Sequence, residues 1–254
     1  MNKNSNSYIF IYASVMVVLV AVILTSANLA LKPLQDKNKQ NEKMINLLGS
    51  IGVAADATTA ADLYKKHLVK EVIINEKGEE ISTFANGELT GTTRAFDVNL
   101  KTALYNANSK NITAMPLFVM NNNGETFYII PLFGKGLWGP IYGNISLDSD
   151  KNTVAAVNFG HDSETPGLGA EIILPDFTNR FIGKQIFKDD KFVSVSVIKG
   201  GVANQSDIDA INGIDAISGS TLTCNGDLIH AKRNSFSYSY HCSISSNCGT
   251  GNPC

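Results

Sequence analysis

The sequence has no excess of basic residues and few residues suited to a metal site. Lys and Arg number 21 against 23 Asp and Glu in 254 residues, so the formal net charge is −2. Proteins that bind nucleic acids neutralise phosphates with a basic face, so we do not expect nucleic acid as a partner. The four cysteines form no Cys-x-x-Cys pair, and no second His or Cys stands at zinc-ligand spacing from His161. We therefore expect no metal site.

Charged side chains are also missing from the N-terminal segment between Lys3 and Lys32. Residues 8–31 are almost wholly apolar, and a helix needs only about 20 residues to cross a hydrocarbon core of about 30 Å. The segment therefore predicts a short tail and a transmembrane anchor over residues 1–33, with membrane lipid as its partner. The alternative is a cleaved signal peptide, for which residues 25–27 offer only a poor cleavage site.

The charges that flank the apolar segment bear on its orientation. Lys3 and the amino terminus precede the segment, and a larger group of charges follows it, namely Lys32, Asp36, Lys37, Lys39 and Glu42. Positively charged flanks tend to remain in the cytoplasm. By this count alone, the C-terminal part of the chain is predicted to be cytoplasmic.

The rest of the chain predicts a mixture of helices and strands. Pro33 is expected to end or kink the first helix, and a connecting helix is predicted up to Gly49. Further helices are predicted at residues 60–66 and 167–174, and strands at residues 69–74, 117–120, 126–132, 141–147, 153–159 and 192–198. Because no regular βαβ repetition is present, we predict an α+β fold.

The part after the anchor divides into three segments. Residues 34–110 hold the connecting helix and the N-terminal part of the soluble domain, and residues 111–230 hold its second part. Residues 231–254 are rich in Ser, Asn, Gly and Cys, a composition typical of disorder. An even number of cysteines permits up to two disulfides in an extracytoplasmic domain, formed among Cys224, Cys242, Cys248 and Cys254.

Three short segments carry the residues suited to ligand binding. In the first, four hydroxyl side chains surround Gly219, namely Ser218, Ser220, Thr221 and Thr223. Such a cluster either caps a helix N-terminus or binds a phosphate, because glycine lets the backbone come close to an anion. From spacing alone both interpretations stay open.

The other two segments are rich in glycine. Residues 134–143 place four glycines around Trp138, which suits either a simple hairpin turn or the approach of a planar ligand. Residues 164–169 contain Pro166 and Gly167 in the order of a type II turn. Glu164 and Thr165 are expected to hydrogen-bond either this loop or a ligand.

The order of these segments resembles one known family. An apolar anchor, Gly-Leu-Trp-Gly-Pro-Ile-Tyr-Gly at residues 136–143, Glu-Thr-Pro-Gly-Leu-Gly at residues 164–169 and Asp-x-x-Ser-Gly-x-Thr at residues 215–221 follow one another over residues 7–225. The same order is found in the FMN-binding C subunits of sodium-translocating NADH:quinone oxidoreductases. Residues 111–230 are accordingly similar to the FMN-binding domain of that family.

The resemblance implies a covalent cofactor. A flavin transferase of that family moves FMN from FAD onto the last threonine of the motif, which is Thr221 here, and Ser220 replaces the usual alanine. The resemblance also implies that further residues bind FMN or present the motif, namely Asp215, Ser218, Gly219, Ser220, Trp138, Glu164, Thr165, Leu168 and Gly169. After residue 225 the sequence departs from the family pattern.

The implied function is electron transfer within a membrane respiratory complex. The resemblance places the chain in a bacterial inner membrane with its soluble domain in the periplasm, which conflicts with the charge count. We expect the chain to carry electrons rather than to bind NADH, and we expect no Rossmann-type site. The alternatives are the flavin-carrying component of an Rnf-type complex and a membrane-anchored module that lacks flavin.

Overall fold

The structure is a computed structural model that describes residues 5–75, 78–105, 114–189, 191–204, 210–220 and 223–224, without the side chains of residues 104 and 105. Thr221 lies outside the described residues, as do the predicted tail and Cys242, Cys248 and Cys254. The chain divides into two compact units, Met1–Met44 and Ile45–Cys254. The predicted domain boundaries near residues 33, 110 and 230 stay predictions.

One long helix, α1, makes up the described part of the first unit. It begins at Asn6 and ends at Gly49, so the prediction that Gly49 stops the helix is confirmed. Pro33 lies inside α1 and does not end it, although an interior proline removes one backbone hydrogen bond of a helix. The apolar side chains near the N-terminus are exposed, among them Phe10, Val17, Val18, Leu24 and Leu29. This part of α1 is long and apolar enough to cross a membrane.

Antiparallel strands form the main sheet in the described part of the second unit. They are β1 (Leu68–Ile74), β2 (Glu80–Ala85), β3 (Glu88–Thr90), β4 (Met115–Asn122), β5 (Glu125–Lys135), β6 (Pro140–Leu147) and β7 (Val154–His161). Their order across the sheet is β3-β2-β1-β4-β5-β6-β7. The predicted strands up to residue 159 are confirmed, whereas β2 and β3 were not predicted. Both strands have few buried side chains. Their sequences therefore lack the clear alternation of apolar and polar residues by which a strand is predicted.

A two-residue turn fixes the register of β4 against β5. Asn122 pairs with Glu125, so Asn123 and Gly124 form the whole loop, and both have positive φ, at 52° and 89°. Positive φ at both positions is what a type I′ hairpin turn requires, and Asn-Gly adopts it readily. The predicted hairpin is confirmed.

Short helices complete the second unit. The α-helices are α2 (Ala60–His67), α3 (Leu100–Tyr105) and α4 (Pro175–Thr178). 3₁₀ turns lie at Ala95–Asp97, Gly169–Ile173, Asn179–Phe181, Val202–Asn204 and Ala210–Asn212. The predicted helix at residues 167–174 is therefore a type II turn followed by a 3₁₀ turn. Gly167 has a φ of 75°, which an α-helix does not accommodate.

The chain beyond β7 forms two further pairs of short strands. The first pair is antiparallel, β8 (Phe187–Lys188) with β9 (Lys191–Phe192), and the second is parallel, β10 (Ser196–Ile198) with β11 (Gly213–Asp215). The prediction of a single strand at residues 192–198 is wrong, because β9 ends at Phe192 and β10 begins at Ser196. The predicted strand is interrupted at Ser194, which has a φ of 62°, and no continuous strand passes through that conformation.

The main hydrophobic core lies between the sheet and the chain beyond β7. Phe159 of β7 packs against Phe177 and Phe181, which in turn meet edge to face at 5.4 Å between ring centroids. Buried residues of β6 and β10, including Ile141 and Val197, belong to the same cluster. Burial of this apolar area holds the segment after β7 against the sheet. The loops at the ends of β6, β7 and β11 are thereby supported by a common core.

Candidate functional site

The glycine loop (residues 136–139) connects β5 to β6. The two strands pair as far as Lys135 and Pro140, and the Gly136 N–H donates to the Gly139 carbonyl across the loop at 2.8 Å. Trp138 lies at the tip of the loop with 68% of its surface exposed. Its indole is therefore available to a ligand or partner and contributes little to the core.

The glycines of this loop also spell a dinucleotide-binding pattern. Gly134, Gly136 and Gly139 match Gly-x-Gly-x-x-Gly, a pattern that binds pyrophosphate where a strand passes into a helix of a βαβ unit. Here the glycines lie between two antiparallel strands. The letters of the pattern are therefore present in the sequence, but they lie in a hairpin and not in a Rossmann turn.

The Glu164 loop (residues 162–168) follows β7. His161, the last residue of β7, pairs with Ile141 of β6, so this loop begins beside the end of the glycine loop. The Leu168 N–H donates to the Thr165 carbonyl at 3.1 Å, with Pro166 and the positive φ of Gly167 between them. The predicted type II turn is confirmed.

The acceptor turn (residues 216–220) follows β11. The Ala216 N–H donates to the Ile198 carbonyl of β10 at 3.0 Å, and the Ser220 N–H donates to the Ile217 carbonyl at 3.1 Å. Gly219 has a φ of 77° and lies against the Leu168 side chain. Ser218 and Gly219 are exposed, whereas the Ser220 side chain is buried.

The carboxylate of Glu164 joins the glycine loop to the residues just after the acceptor turn. One oxygen, Oε1, accepts a hydrogen bond from the Trp138 N–H at 2.9 Å, and the other, Oε2, accepts one from the Thr223 hydroxyl at 2.8 Å. Glu164 is only 5% exposed. A Cβ at Gly136 or Gly169 would overlap this carboxylate. Glycine is therefore required at both positions so that the three segments can meet around Glu164.

The electrostatics of the site keep Glu164 charged. Burial raises the pKa of Glu164, but hydrogen bonds from Trp138, Thr223 and Gly139, together with nearby His161, lower the pKa to below its ordinary value. A buried carboxylate that accepts several hydrogen bonds is stabilised in its charged form. At neutral pH Glu164 is thus an acceptor for protein donors.

A cavity lies beside the acceptor turn. It has a volume of about 430 Å³ and is lined by Lys199, Gly200 and Gly201 from the end of β10, and by residues 215–219 from the end of β11. Parallel strands bring the loops at their carboxyl ends to the same edge, which explains why these two segments face one cavity. Sequence reasoning missed Lys199 and its two glycines, although a lysine followed by two glycines at a strand end was a usable signal.

Asp215 holds the two sides of this cavity together. Its Oδ1 accepts a hydrogen bond from the Val202 N–H at 2.7 Å, and its carbonyl accepts one from the Arg180 guanidinium at 2.9 Å. Arg180 also donates to the Asp176 carbonyl at 2.8 Å. Asp215, the first residue of the Asp-x-x-Ser-Gly-x-Thr motif, is therefore fixed through both its side chain and its backbone carbonyl.

The region offers hydrogen-bonding groups but no metal centre among the residues that are described. Across those residues, no group of three His, Cys, Asp or Glu side chains could hold a metal ion. The His161 Nδ1 instead accepts a hydrogen bond from the Glu164 N–H at 3.3 Å. His161 thus supports the turn into the Glu164 loop.

The structure brings most of the predicted site residues to one region. Trp138 and Leu168 are exposed and apolar, and Gly169 lies against Glu164 and Thr223. Asp215, Ser218 and Gly219 line the cavity, Ser220 is buried beside it, and Thr165 is exposed. Thr221 lies outside the described residues, but both of its described flanks, Ser220 and Thr223, are in this region. The role of each in cofactor binding stays a prediction.

Comparison with known proteins identifies the family. Residues 136–228 match the FMN-binding domain family. The C subunit of the Na(+)-translocating NADH-quinone reductase of Haemophilus ducreyi is 30% identical over 230 residues, covering 89% of this chain and 88% of the relative. The corresponding protein of Pasteurella multocida is 31% identical over 240 residues, with the same coverage of 89% and 88%.

A solved structure agrees with these relatives. The C subunit of the Na(+)-translocating NADH-quinone reductase from Parabacteroides distasonis superposes with a TM-score of 0.70 at 36% identity, covering 85% of this chain and 97% of that one. The fold and the three converging segments define an FMN-binding domain preceded by an apolar helix. The chain belongs to the family of C subunits of Na(+)-translocating NADH-quinone reductases. The resemblance inferred from the motifs and the predicted α+β fold are confirmed.

The residues at the site fit FMN. Ser220 Oγ is buried and has no hydrogen-bond partner among the described residues, and a buried hydroxyl without a partner is costly. Glycines 200, 201 and 219 leave the cavity wall open to close approach, and Lys199 offers a cation for a phosphate. Exposed Trp138 and Leu168 offer apolar surface for a ring. A planar, anionic ligand matches this set of groups.

The lowered pKa of Glu164 gives a test by pH. Charged Glu164 stabilises the folded state fully above the ordinary value of 4.5, and this contribution is lost as the pH falls through the lowered folded-state pKa. The difference in free energy of unfolding between wild type and Glu164→Gln should therefore be constant above pH 4.5 and shrink below it. Denaturant unfolding of the protein in detergent, over a pH series, measures this difference.

Glu171→Gln is the control for the change in net charge. Its carboxylate accepts a hydrogen bond from the Gly167 N–H at 2.9 Å on the exposed side of the neighbouring turn. A wild-type to Glu164→Gln difference that stays constant through the acid range would contradict the assignment of a lowered pKa to Glu164.

Proposed function

We propose that this chain carries FMN, covalently bound to Thr221, and passes electrons within a sodium-translocating NADH-quinone reductase complex. The observation that supports this best is that Glu164 binds the first glycine-rich motif and the residues just after the third motif, with hydrogen bonds of 2.9 Å and 2.8 Å from Trp138 and Thr223. Trp138 and Thr223 are 26 and 59 residues from Glu164 along the chain, yet they meet at one side chain. We infer the complex from the relatives, which are named as subunits of Na(+)-translocating NADH-quinone reductases.

The attachment reaction is a phosphoryl transfer. A flavin transferase would bring FAD, the Thr221 hydroxyl oxygen would form a bond to the phosphorus of the FMN half, and the pyrophosphate bond would break. AMP would leave, and the hydroxyl proton would be released. Lys199 at the cavity wall would place a positive charge near the transferred phosphate.

The buried position of Ser220 favours Thr221 as the acceptor. Ser220 has 4% of its surface exposed, and its hydroxyl oxygen is buried. A transferase cannot bring a phosphate to an oxygen that is enclosed by the protein. Although Ser220 adds a hydroxyl where the family has alanine, we infer that it does not compete with Thr221.

The remaining residues would hold the cofactor in a defined position. FMN supplies the redox chemistry, since a flavin exchanges electrons one or two at a time. Trp138 and Leu168 would flank its ring at the surface, where another protein of the complex can approach, and Glu164 would hold their loops together. Because the carboxylate oxygens already accept hydrogen bonds from Trp138 and Thr223, we propose that Glu164 acts mainly by positioning these loops.

We also propose that α1 anchors the chain in a bacterial inner membrane, with lipid around its exposed apolar residues. The family supports a periplasmic position of the domain, although the charges that flank the anchor favour the opposite orientation. The Rnf-type alternative is disfavoured by the names of the relatives, since the curated proteins cited above belong to the sodium-translocating reductase.

Substitution of Thr221 tests the acceptor. Thr221→Val keeps the shape of the side chain but removes the hydroxyl, so the protein produced together with a flavin transferase should lack covalent flavin. A denaturing gel viewed under ultraviolet light should show a fluorescent band for wild type and none for this variant. Ser220→Ala, which restores the family residue, should keep the band. A fluorescent Thr221→Val band would mean that another side chain is the acceptor.

Substitution of Ser220 tests the fit of the cofactor. Because the buried hydroxyl lacks a partner among the described residues, Ser220→Ala should stabilise the protein without flavin by about 1 to 3 kcal/mol. If FMN accepts or donates a hydrogen bond at the Ser220 oxygen, the increase in the free energy of unfolding caused by Ser220→Ala should be smaller in the flavinylated protein. Denaturant unfolding of both forms measures the difference.

Ser146→Ala is the matched control for this comparison. Ser146 of β6 also has a buried hydroxyl oxygen without a partner among the described residues, and its stabilisation should be the same with and without flavin. An equal gain for Ser220→Ala in both forms would show that the Ser220 hydroxyl does not contact FMN.

A further inference from the structure

Thr223 differs from the other hydroxyl residues of the motif in its surroundings. Ser218 is exposed, and Ser220 is buried without a partner among the described residues. Thr223 is 2% exposed, and its hydroxyl donates to a carboxylate oxygen, Glu164 Oε2, at 2.8 Å. The sequence interpretation treated Thr223 as a helix cap or phosphate ligand. The structure instead gives it a buried, charge-assisted hydrogen bond to another loop.

Described residues before and after Thr221 in the sequence are each held by hydrogen bonds. Upstream, Asp215 is fixed by hydrogen bonds from the Val202 N–H at 2.7 Å and from Arg180 at 2.9 Å. Downstream, Thr223 is fixed by Glu164, and the Cys224 N–H donates to the Ser220 carbonyl at 2.9 Å. Thr221 lies two residues before Thr223 in the sequence, so the Thr223 contact is the described side-chain contact nearest to the proposed acceptor on the downstream side.

Glu164 is itself well suited to act as a fixed support. Its other oxygen is bound by the Trp138 N–H, and Gly136 and Gly169 leave room for the carboxylate. A Cβ at Gly169 would also lie 2.8 Å from the Thr223 hydroxyl oxygen. The hydroxyl is thus enclosed between the Glu164 carboxylate and the backbone of Gly169, the residue that follows the Glu164 loop.

We propose that Thr223 is a positioning residue for flavin attachment, because its hydrogen bond to Glu164 holds the acceptor segment in the geometry that the transferase requires. This inference rests on the proposed attachment of FMN to Thr221. Thr223 would not touch the transferred phosphate. It would act by limiting the conformations of the Thr221 backbone before the transferase binds, which favours a reactive orientation.

A series of substitutions at Thr223 tests the proposal. The full-length chain, produced without flavin and purified in detergent, is incubated with a flavin transferase and FAD, and covalent flavin is measured by gel fluorescence over time. Thr223→Val keeps the volume but removes the donor, and its initial rate should fall about ten-fold or more. Thr223→Ser keeps the hydroxyl and should remain near the wild-type rate, whereas Thr223→Cys, a weaker donor, should lie between them.

Thr153→Val is the matched control. The Thr153 hydroxyl also donates to a carboxylate, Asp150 Oδ2 at 2.5 Å, but this pair lies just before β7, at the opposite end of that strand from His161. Its flavinylation rate should equal that of wild type. Unfolding midpoints of all variants separate a loss of positioning from a loss of folding, and if Thr223→Val does not fold, the Ser and Cys variants still give the required order.

The outcomes distinguish this inference from the proposed function. Wild-type flavinylation together with a slow Thr223→Val, a fast Thr223→Ser and a Thr223→Cys rate between the two supports both. A Thr223→Val variant that is flavinylated at the wild-type rate overturns the positioning role, as does a folded Thr223→Ser that is as slow as Val, or equal rates for Ser and Cys. If the wild-type chain itself gains no covalent flavin, the proposed function fails and this inference fails with it.

Discussion

The arrangement of the site depends on one buried carboxylate. Glu164 is nearly fully enclosed, and a charge in such a place is costly unless it is well paired with donors. The donors come from other parts of the chain, namely the Trp138 backbone and the Thr223 side chain. The glycine loop, the Glu164 loop and the segment after the acceptor turn therefore depend on one another. Loss of either donor, the Trp138 N–H or the Thr223 hydroxyl, would leave the Glu164 carboxylate with fewer hydrogen bonds.

This constraint separates residues that hold the site from residues that are free to meet a ligand. The carboxylate and its donors are occupied by contacts within the protein. The exposed side chains of Trp138 and Leu168 and the cavity beside Lys199 remain available to a ligand. A domain of this kind would hold its ligand at the surface, where electrons could pass to a neighbouring protein, and covalent attachment would remove the need for deep burial.

The sequence predicted the motifs but not how they connect. The hairpin with the Asn123-Gly124 turn and the Pro166-Gly167 turn follow from local preferences, and they were found as predicted. The Glu164 to Thr223 contact spans 59 residues, and no local pattern encodes it. Strands β2 and β3 were missed because they are too exposed to alternate clearly. Pro33 was expected to end or kink the first helix, yet the helix continues through it.

Hydrogen exchange at the Trp138 amide tests the central claim most directly. The side chain of Trp138 is exposed at a loop tip, where an amide would ordinarily exchange fast, but its N–H is bound to Glu164 at 2.9 Å. In the wild-type protein this amide should be protected, and in Glu164→Ala it should exchange rapidly while the amides of β4 stay protected. Rapid exchange of the Trp138 amide in the wild-type protein would contradict the account.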